Sequence, residues 1–500
     1  MRFPKLLALA TGLVSATGFA PLELWPVTVS AFALWMWIVT EAPDLRAALG
    51  RGWWFGLGHF VVGMNWIAGA FRYQDAMPVW LGYVAVVALS LYLAVYPAVA
   101  AGLAWRWGRS NKAVYALVFA AAWIVTEYLR ASLFTGFAWN PLGVALVPTP
   151  ADGLAKLIGT YGLSGCMILV AGTLMHKKRL TAFPVSLGSL LLAGWLTTYA
   201  AGDPGRTTTL VRVIQPNIGL NEGRDPAVAR AGLETLARLS GPPGVAPRLL
   251  FWPEAALNDA YEIDYDGPLR TDLATLLGPS DLLVTGTRIE YARRQYGAGV
   301  EEVAVSATNS VFVLDAEARI AARYDKAHLV PYGEYLPMRP LLSAIGLSRL
   351  VPGDIDFKPG PGPRSITLPG FGKLGVQVCY EIIFSGQVID RADRPAFLFN
   401  PSNDAWFGSW GPPEHLAQAR LRAIEEGMPV IRSTPTGISA VIDANGNLLT
   451  ALPMSKAGFI QTTLPAAAPP TLFSRFGNIL PLGFALTLIG FAVALRRRHR

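Results

Sequence analysis

Apolar residues fill long stretches of the chain up to residue 201, give way to short alternating runs over 207–463, and return over 476–495. A bilayer-spanning helix needs roughly 20 predominantly apolar residues. Candidate spans on that criterion lie at 5–22, 27–41, 53–71, 78–104, 113–133, 153–175, 183–201 and 476–495. The second is short. The fifth carries Glu127, whose cost in hydrocarbon is expected to be met by pairing with Arg130 or by snorkelling near the outer end. The first stretch has the look of a signal peptide, but further spans follow at once and no small-residue cleavage site stands out.

The middle segment has a different period. Residues 208–218, 248–252, 281–287, 309–314, 374–379 and 396–400 read as short strands. Those ending near Phe251 and Val378 are apolar enough to be buried on both faces. Helical patterns run from Asp225 to Leu239 and from His415 to Glu426. Strands alternating with helices predict an α/β sandwich whose active residues gather at strand ends. Residues 464–474 read as a Pro-rich linker. The expected organisation is a membrane domain of about seven helices at 1–201, a soluble α/β domain at 207–463 and a C-terminal transmembrane helix at 476–495.

Composition agrees with this division. Hydrophobic residues make up 52% of the 500 and charged residues only 15%, against about 25% charged in ordinary soluble chains. The net charge of +8 sits largely in clusters beside apolar segments, which excludes a nucleic-acid reading that needs a basic folded face. Arg2 and Lys5, Arg46 and Arg51, Arg106 with Arg109 and Lys112, Lys177 to Arg179, and Arg496 to Arg498 fall in every other loop. The positive-inside rule then sets both termini in the cytoplasm and residues 207–463 outside, in the periplasm of a double-membrane bacterium. The two cysteines, Cys166 in an apolar stretch and Cys379 in the soluble domain, are not expected to meet in a disulfide.

Three side chains carry the chemistry. Glu254 follows the strand ending in Phe251, Lys326 follows Arg323-Tyr324-Asp325, and Cys379 ends an apolar run from Leu374. A thiol of ordinary pKa near 8.5 is a weak nucleophile at neutral pH. A buried carboxylate with a raised pKa can take its proton. A lysine and a backbone N–H after the cysteine can stabilise the oxyanion of acyl transfer. Taken singly, each has a bland reading: a small buried hydrophobe, a helix-start carboxylate, a solvated ion pair.

Together they resemble the nitrilase, or carbon–nitrogen hydrolase, superfamily. The motifs are WPEAAL at 252–257, YDKAHLVPYGEYLP at 324–337, VCYEIIF at 378–384, NDAWFG at 403–408 and ARLRAIEEGMPVIRS at 419–433. With the membrane stretches, and with GFAPLELWP at 18–26 and GFAWNPLG at 136–143, nearly the whole chain resembles the bacterial apolipoprotein N-acyltransferases. The resemblance implies a multispan α-helical membrane domain plus an αββα sandwich. It implies Glu254 as base, Lys326 as oxyanion lysine and Cys379 as nucleophile, supported by Glu334, Tyr380, Glu381 and Asn309. The implied reaction takes an acyl chain from a phospholipid onto Cys379 as a thioester. It then passes that chain to the α-amino group of a diacylglyceryl-modified apolipoprotein at the inner membrane. Two departures stand out: Arg224 follows Gln215-Pro216-Asn217 where the family often has tryptophan, and Pro435-Thr436-Gly437 stands where it often has NTG.

No cofactor or metal is expected, since the five histidines, among them His328 and His415, show no ligand spacing. Two rival readings stay open on the residues alone. A membrane-anchored nitrilase-like amidase would share the triad, hydrolyse a small amide and differ in the apolar content of loops near the site. A transporter with an accessory soluble domain would show charged or broken spans near the bilayer centre, of which there is little. Residues 338–351, rich in leucine and flanked by Arg339 and Arg349, are expected either as a short helix packed on its own domain or as a flap that touches the outer leaflet.

Overall fold

The computed structural model describes residues 2–73, 77–219, 226–257, 263, 267–286, 288–296, 299–344, 346–348, 350 and 356–498. The N-terminal part is helical: α1 Pro4–Ser15, α2 Trp25–Thr40, α3 Leu45–Gly63, α4 Ile67–Ala70, α5 Leu81–Leu93, α6 Val95–Gly108, α7 Lys112–Ser132, α8 Ala155–Thr173 and α9 Arg179–Ala201. Local chemistry sets several ends. The Asp44 carboxylate accepts from Ala47 N at 2.8 Å to start α3, and the Asn111 side chain accepts from Ala113 N at 2.9 Å to start α7. Pro97, which cannot donate to the Leu93 carbonyl, accounts for the break between α5 and α6. Where α1 crosses α3, a Cβ on Gly12 would stand 2.0 Å from the Phe55 carbonyl oxygen, so only glycine permits that approach. Trp35 stacks on Phe55 at 3.8 Å in the bundle core.

The stretches Leu81–Gly108, Lys112–Ser132, Pro150–Thr173, Arg179–Ala201 and Ile479–Arg498 are each long and apolar enough to cross a membrane. The molecule is therefore a membrane protein. α2 is a shorter apolar helix, and α1 stops at Ser15, earlier than the expected stretch to residue 22.

Two six-stranded sheets follow. In chain order the strands are β1 Arg206–Gln215, β2 Arg248–Phe251, β3 Leu282–Thr285, β4 Arg288–Tyr296, β5 Gly299–Thr308, β6 Ser310–Leu314, β7 Ile320–Asp325, β8 Ser365–Leu368, β9 Gly372–Val376, β10 Phe397–Pro401, β11 Val430–Ser433, β12 Ala440–Ile442, β13 Leu448–Ala451 and β14 Gly458–Pro465. One sheet runs β14-β1-β2-β3-β6-β7 and the other β13-β12-β11-β10-β9-β8, with β4 and β5 forming a separate ribbon. Strand alternation sorts the side chains. Val211, Val213, Leu249, Phe251, Val284, Val311 and Val313 share a core with Leu374, Val376, Phe397, Phe399 and Ile431 of the other sheet. The Phe251 and Phe399 rings meet at 4.6 Å. Leu250, Leu283, Phe312 and Leu314 face the other way, against Leu236 and Leu239 of α10 (Pro226–Ser240) and Leu269 and Leu273 of α11 (Gly267–Ala274).

The outer face of the second sheet is covered by the helix Gly411–Glu426, itself buried between that sheet and α8. The four layers are thus αββα. A short helix, α12 (Arg339–Ala344), precedes it in the chain, so Gly411–Glu426 is α13; α14 (Leu472–Phe476) and α15 (Ile479–Arg498) complete the α-helices among the described residues.

The expected linker at 464–474 is shorter than its composition suggests. Leu464 and Pro465 finish β14, where proline is tolerated at the end of an edge strand, and the Thr471 hydroxyl caps α14 by accepting from Ser474 N at 2.8 Å. Glu127 and Arg130 do not snorkel. Both are buried, 4.0 Å apart, and hold the loop at 136–143: Glu127 accepts from Leu142 N at 2.7 Å, and Arg130 donates to the carbonyls of Phe137 at 3.0 Å and Trp139 at 2.9 Å.

Candidate active site

Each expected reacting residue leaves a strand end. Glu254 comes three residues after β2, Lys326 directly after β7, and Cys379 three residues after β9, at the start of a 3-10 turn over Cys379–Ile383. β1 and β2 are parallel, as are β9 and β10, so Glu254 and Cys379 both follow carboxyl ends of parallel strands.

Lys326, Glu254, Glu334 and Asn309 form one buried cluster. Lys326 Nζ donates to Glu334 Oε1 at 2.9 Å and lies 3.9 Å from Glu254 Oε1. Asn309 Nδ2 bridges the two carboxylates, donating to Glu254 Oε1 at 2.7 Å and Glu334 Oε1 at 2.9 Å. Backbone donors complete the carboxylates: Asn403 N to Glu254 Oε2 at 2.7 Å, and Val330 N to Glu334 Oε2 at 2.9 Å. The Asn309 carbonyl also accepts from Lys326 N at 2.8 Å, which fixes the root of the lysine.

Electrostatics follow from burial. Desolvation pulls the Lys326 ammonium down, but Glu334 and Glu254 outweigh it and hold the lysine charged, above its ordinary value. Burial pushes the Glu254 carboxyl up; Lys326 opposes this without cancelling it, and Glu334 adds to the rise. Burial and the Glu254 charge push the Cys379 thiol well above its ordinary range. At rest the thiol keeps its proton, beside a carboxylate of raised basicity.

Glu381 holds the cysteine turn and the lysine loop together. Its Oε1 accepts from the Tyr324 hydroxyl at 3.0 Å, Ala327 N at 2.8 Å and His328 N at 3.0 Å; its Oε2 accepts from Val378 N at 2.7 Å. Burial pushes this carboxyl up to about 7, against the backbone donors that favour its charge. Tyr380 is buried and its hydroxyl donates to the Gly136 carbonyl at 3.3 Å. Two further contacts reach the same loop: His328 Nε2 faces the Thr135 carbonyl at 2.9 Å, and Trp139 Nε1 donates to Glu414 Oε2 at 2.6 Å. The segment at 135–139 thus meets the catalytic sandwich at three points.

All seven expected residues lie in two linked groups: Glu254, Lys326, Glu334 and Asn309 above, Cys379, Tyr380 and Glu381 on the turn. Sequence reasoning missed Asn400, Asn403, Asp404, His415 and Arg432. Their signal was present in NDAWFG and in a charged residue, Arg432, directly after the apolar pair Val430-Ile431. Of the two departures, Arg224 lies outside the described residues; the Pro435 carbonyl accepts from Asn217 N at 2.8 Å. A cavity of about 370 Å³ lined by Ala327, His328, Gln377, Glu381, Phe384 and Arg391 flanks the site, with none of Glu254, Lys326 and Cys379 in its wall. Among the described residues no group of three or more His, Cys, Asp or Glu has a metal-holding arrangement.

Two family models divide the chain between them. That for the apolipoprotein N-acyltransferase N-terminal domain matches residues 11–173, and that for carbon-nitrogen hydrolases matches residues 211–468. The apolipoprotein N-acyltransferase of Bradyrhizobium diazoefficiens is 34% identical over 99% of this chain and 95% of its own. That of Rhodopseudomonas palustris is 32% identical over 98% and 95%. That of Ralstonia nicotianae is 33% identical over 100% and 94%.

Proposed function

The chain belongs to the apolipoprotein N-acyltransferase family, and on that premise we propose that Glu254, Lys326 and Cys379 N-acylate apolipoproteins through a cysteine thioester. Glu254 takes the thiol proton as Cys379 Sγ adds to the carbonyl carbon of a phospholipid ester. The carbonyl electron pair moves to oxygen, where Lys326 and a backbone N–H of the turn stabilise it. Collapse expels the lysophospholipid alkoxide, which takes the proton from Glu254. The α-amino group of a diacylglyceryl-cysteine then adds to the thioester and gives its proton to Glu254; collapse forms the amide and expels the Cys379 thiolate, which takes that proton from Glu254. Splitting one transfer into two additions is the advantage of a covalent nucleophile.

The observation that carries this reading is the buried cluster in which Lys326 Nζ stands 2.9 Å from Glu334 and 3.9 Å from Glu254. A lysine committed to a surface ion pair would be exposed; this one is 1% exposed. Glu334 and Asn309 orient the lysine and the base, and Glu381 sets the cysteine turn. The same proposal has eight spans, both termini in the cytoplasm, the sandwich in the periplasm, and both lipid substrates reaching the site from the outer leaflet. Each of the eight apolar stretches contains a helix, which supports that count. α12 carries no buried residue and exposes Leu341, beside an exposed Met338, which supports a flap at the bilayer surface. Ile345, Arg349 and Val351 of that segment lie outside the described residues.

Mass spectrometry of the full chain after incubation with phospholipid tests the reading. An acyl mass on the Cys379 peptide, discharged by a diacylglyceryl lipopeptide, is expected. Transfer that proceeds with Cys379 unmodified would overturn it.

A further inference from the structure

The carbonyl oxygen of Cys379 is held by two side-chain donors that the mechanism above does not use. His415 Nε2 lies 3.0 Å from it and Asn400 Nδ2 3.4 Å. A carbonyl only accepts, so Nε2 carries the ring proton. Nδ1 faces Asp404 Oδ1 at 3.1 Å and Arg432 Nη2 at 3.1 Å. Burial and the neighbouring guanidinium lower the basicity of His415, although Asp404 opposes them. The ring is therefore neutral, and Nδ1 accepts from Arg432. Arg432, with no exposed surface, also donates to the Asp404 carboxylate at 2.8 and 2.6 Å, to Ser402 Oγ at 3.0 Å and to Asn400 Oδ1. That last contact decides which end of the Asn400 amide is NH2, and sends it toward the carbonyls of Gln377 (2.6 Å) and Cys379. One guanidinium thus orients both donors.

The peptide they hold is an unusual one. Cys379 has φ +51°, a left-handed conformation that costs a non-glycine residue on the order of 1–3 kcal/mol unless its surroundings enforce it. Across a trans peptide the C=O and the next N–H point in opposite directions. Holding the Cys379 carbonyl therefore aims the Tyr380 N–H away from His415 and Asn400. Among the described residues that N–H makes no backbone hydrogen bond.

We propose that His415 and Asn400, oriented by Arg432, are positioning residues that lock the Cys379–Tyr380 peptide so that the Tyr380 N–H joins Lys326 as a donor to the oxyanion. The proposal rests on the thioester reading above and assigns no proton transfer to His415. Its donors act only when a carbonyl becomes tetrahedral, so they lower the barrier to ester attack without changing the thiol itself.

The test uses the full chain in phospholipid–detergent micelles with a diacylglyceryl lipopeptide as acceptor. His415→Phe keeps a ring against Trp139 and Phe407, whose centroids lie 5.4 and 5.6 Å away, and removes the donor. The expected result is a kcat lowered on the order of 10²–10³, as for one lost oxyanion donor, with KM for phospholipid within about twofold. Alkylation of Cys379 by iodoacetamide, which develops no oxyanion, stays within about threefold of the parent. His415→Gln, which returns an N–H at similar reach, recovers about tenfold or more of the lost kcat. Asn400→Asp swaps the other donor for an acceptor, predicts the same pattern, and carries the test if His415→Phe does not fold. A parental kcat in the variants, alkylation falling in step with kcat, or His415→Gln no better than His415→Phe would overturn the proposal. Absence of a Cys379 acyl adduct in the parent protein would instead defeat the thioester reading itself.

Discussion

Glu334→Gln is the most informative single change in the cluster. Glu334 is the nearer partner of Lys326, at 2.9 Å against 3.9 Å for Glu254. At an effective dielectric constant of about 20, those separations correspond to attractions of about 5.7 and about 4.3 kcal/mol. Removing the Glu334 charge forfeits the larger of the two, leaves the about 4.3 kcal/mol attraction to Glu254 unopposed, and draws the ammonium toward Glu254. That displacement takes the lysine from the oxyanion position and couples it to the base. Glutamine also has one acceptor oxygen where the carboxylate serves Lys326 and Asn309 on Oε1 and Val330 N on Oε2. One of these donors then faces an NH2, which costs about 1–3 kcal/mol and loosens the loop that carries the lysine. A fall in kcat on the order of 10² follows, at about 1.4 kcal/mol per tenfold, with KM for phospholipid little changed.

The pH profile supplies an independent sign. Glu334 contributes to the raised pKa of Glu254, so its neutralisation lets that pKa fall. The reaction needs Glu254 deprotonated, and its acid limb in the parent lies above the ordinary carboxylate value. In Glu334→Gln the limb moves to lower pH while the maximal rate drops. Lipopeptide N-acylation followed by gel shift across the acid range measures both. A maximal rate within about threefold of the parent, or an acid limb that stays or moves upward, would refute the reasoning.

Three further outcomes are expected. Cys379→Ala abolishes acyl transfer and Cys379→Ser nearly does, because an alcohol is far harder to ionise, whereas Cys166→Ala is silent; N-acylation by Cys379→Ala in the same gel assay would contradict this. Lys326→Ala lowers kcat on the order of 10²–10³ with the fold intact by circular dichroism, whereas a near-parental rate would return the lysine to a merely structural pairing. Serine at Met338 and Leu341, both exposed, weakens use of bilayer phospholipid and spares alkylation of Cys379; parallel loss of both would make the segment part of the fold's core.

The proposed reacting residues were legible because each follows a visible strand or a dense motif. Phe251 and Val376 end apolar runs whose burial on both faces leaves little choice of secondary structure, and Glu254 and Cys379 follow within three residues. β7 was legible only at its end, where Arg323-Tyr324-Asp325 reads as a strand end or the loop after one, because IAARYD mixes charged and apolar residues and Arg323 and Asp325 pair with each other at 2.6 Å. β8 and β13 end the second sheet, are short, and alternate weakly. β11 was hidden for the opposite reason. Arg432 argues against a buried strand until Asp404, 28 positions earlier, is found against it. Distance along the chain also concealed the role of Glu127, whose acceptor work is done for Leu142 rather than for the bilayer surface.

The loop at 135–139 has a consequence for how the enzyme comes into being. Its carbonyls and its tryptophan are donated by the helical half, yet they touch Tyr380, His328 and the residue beside His415. During synthesis the helices come first, and the sandwich that carries the thiol is made afterwards. Until the two halves dock, the turn at Cys379 lacks one side of its mould. A thioester acylates any amine it meets, so under the proposed mechanism the turn that would carry the acyl group is completed only once the helical half stands beside it.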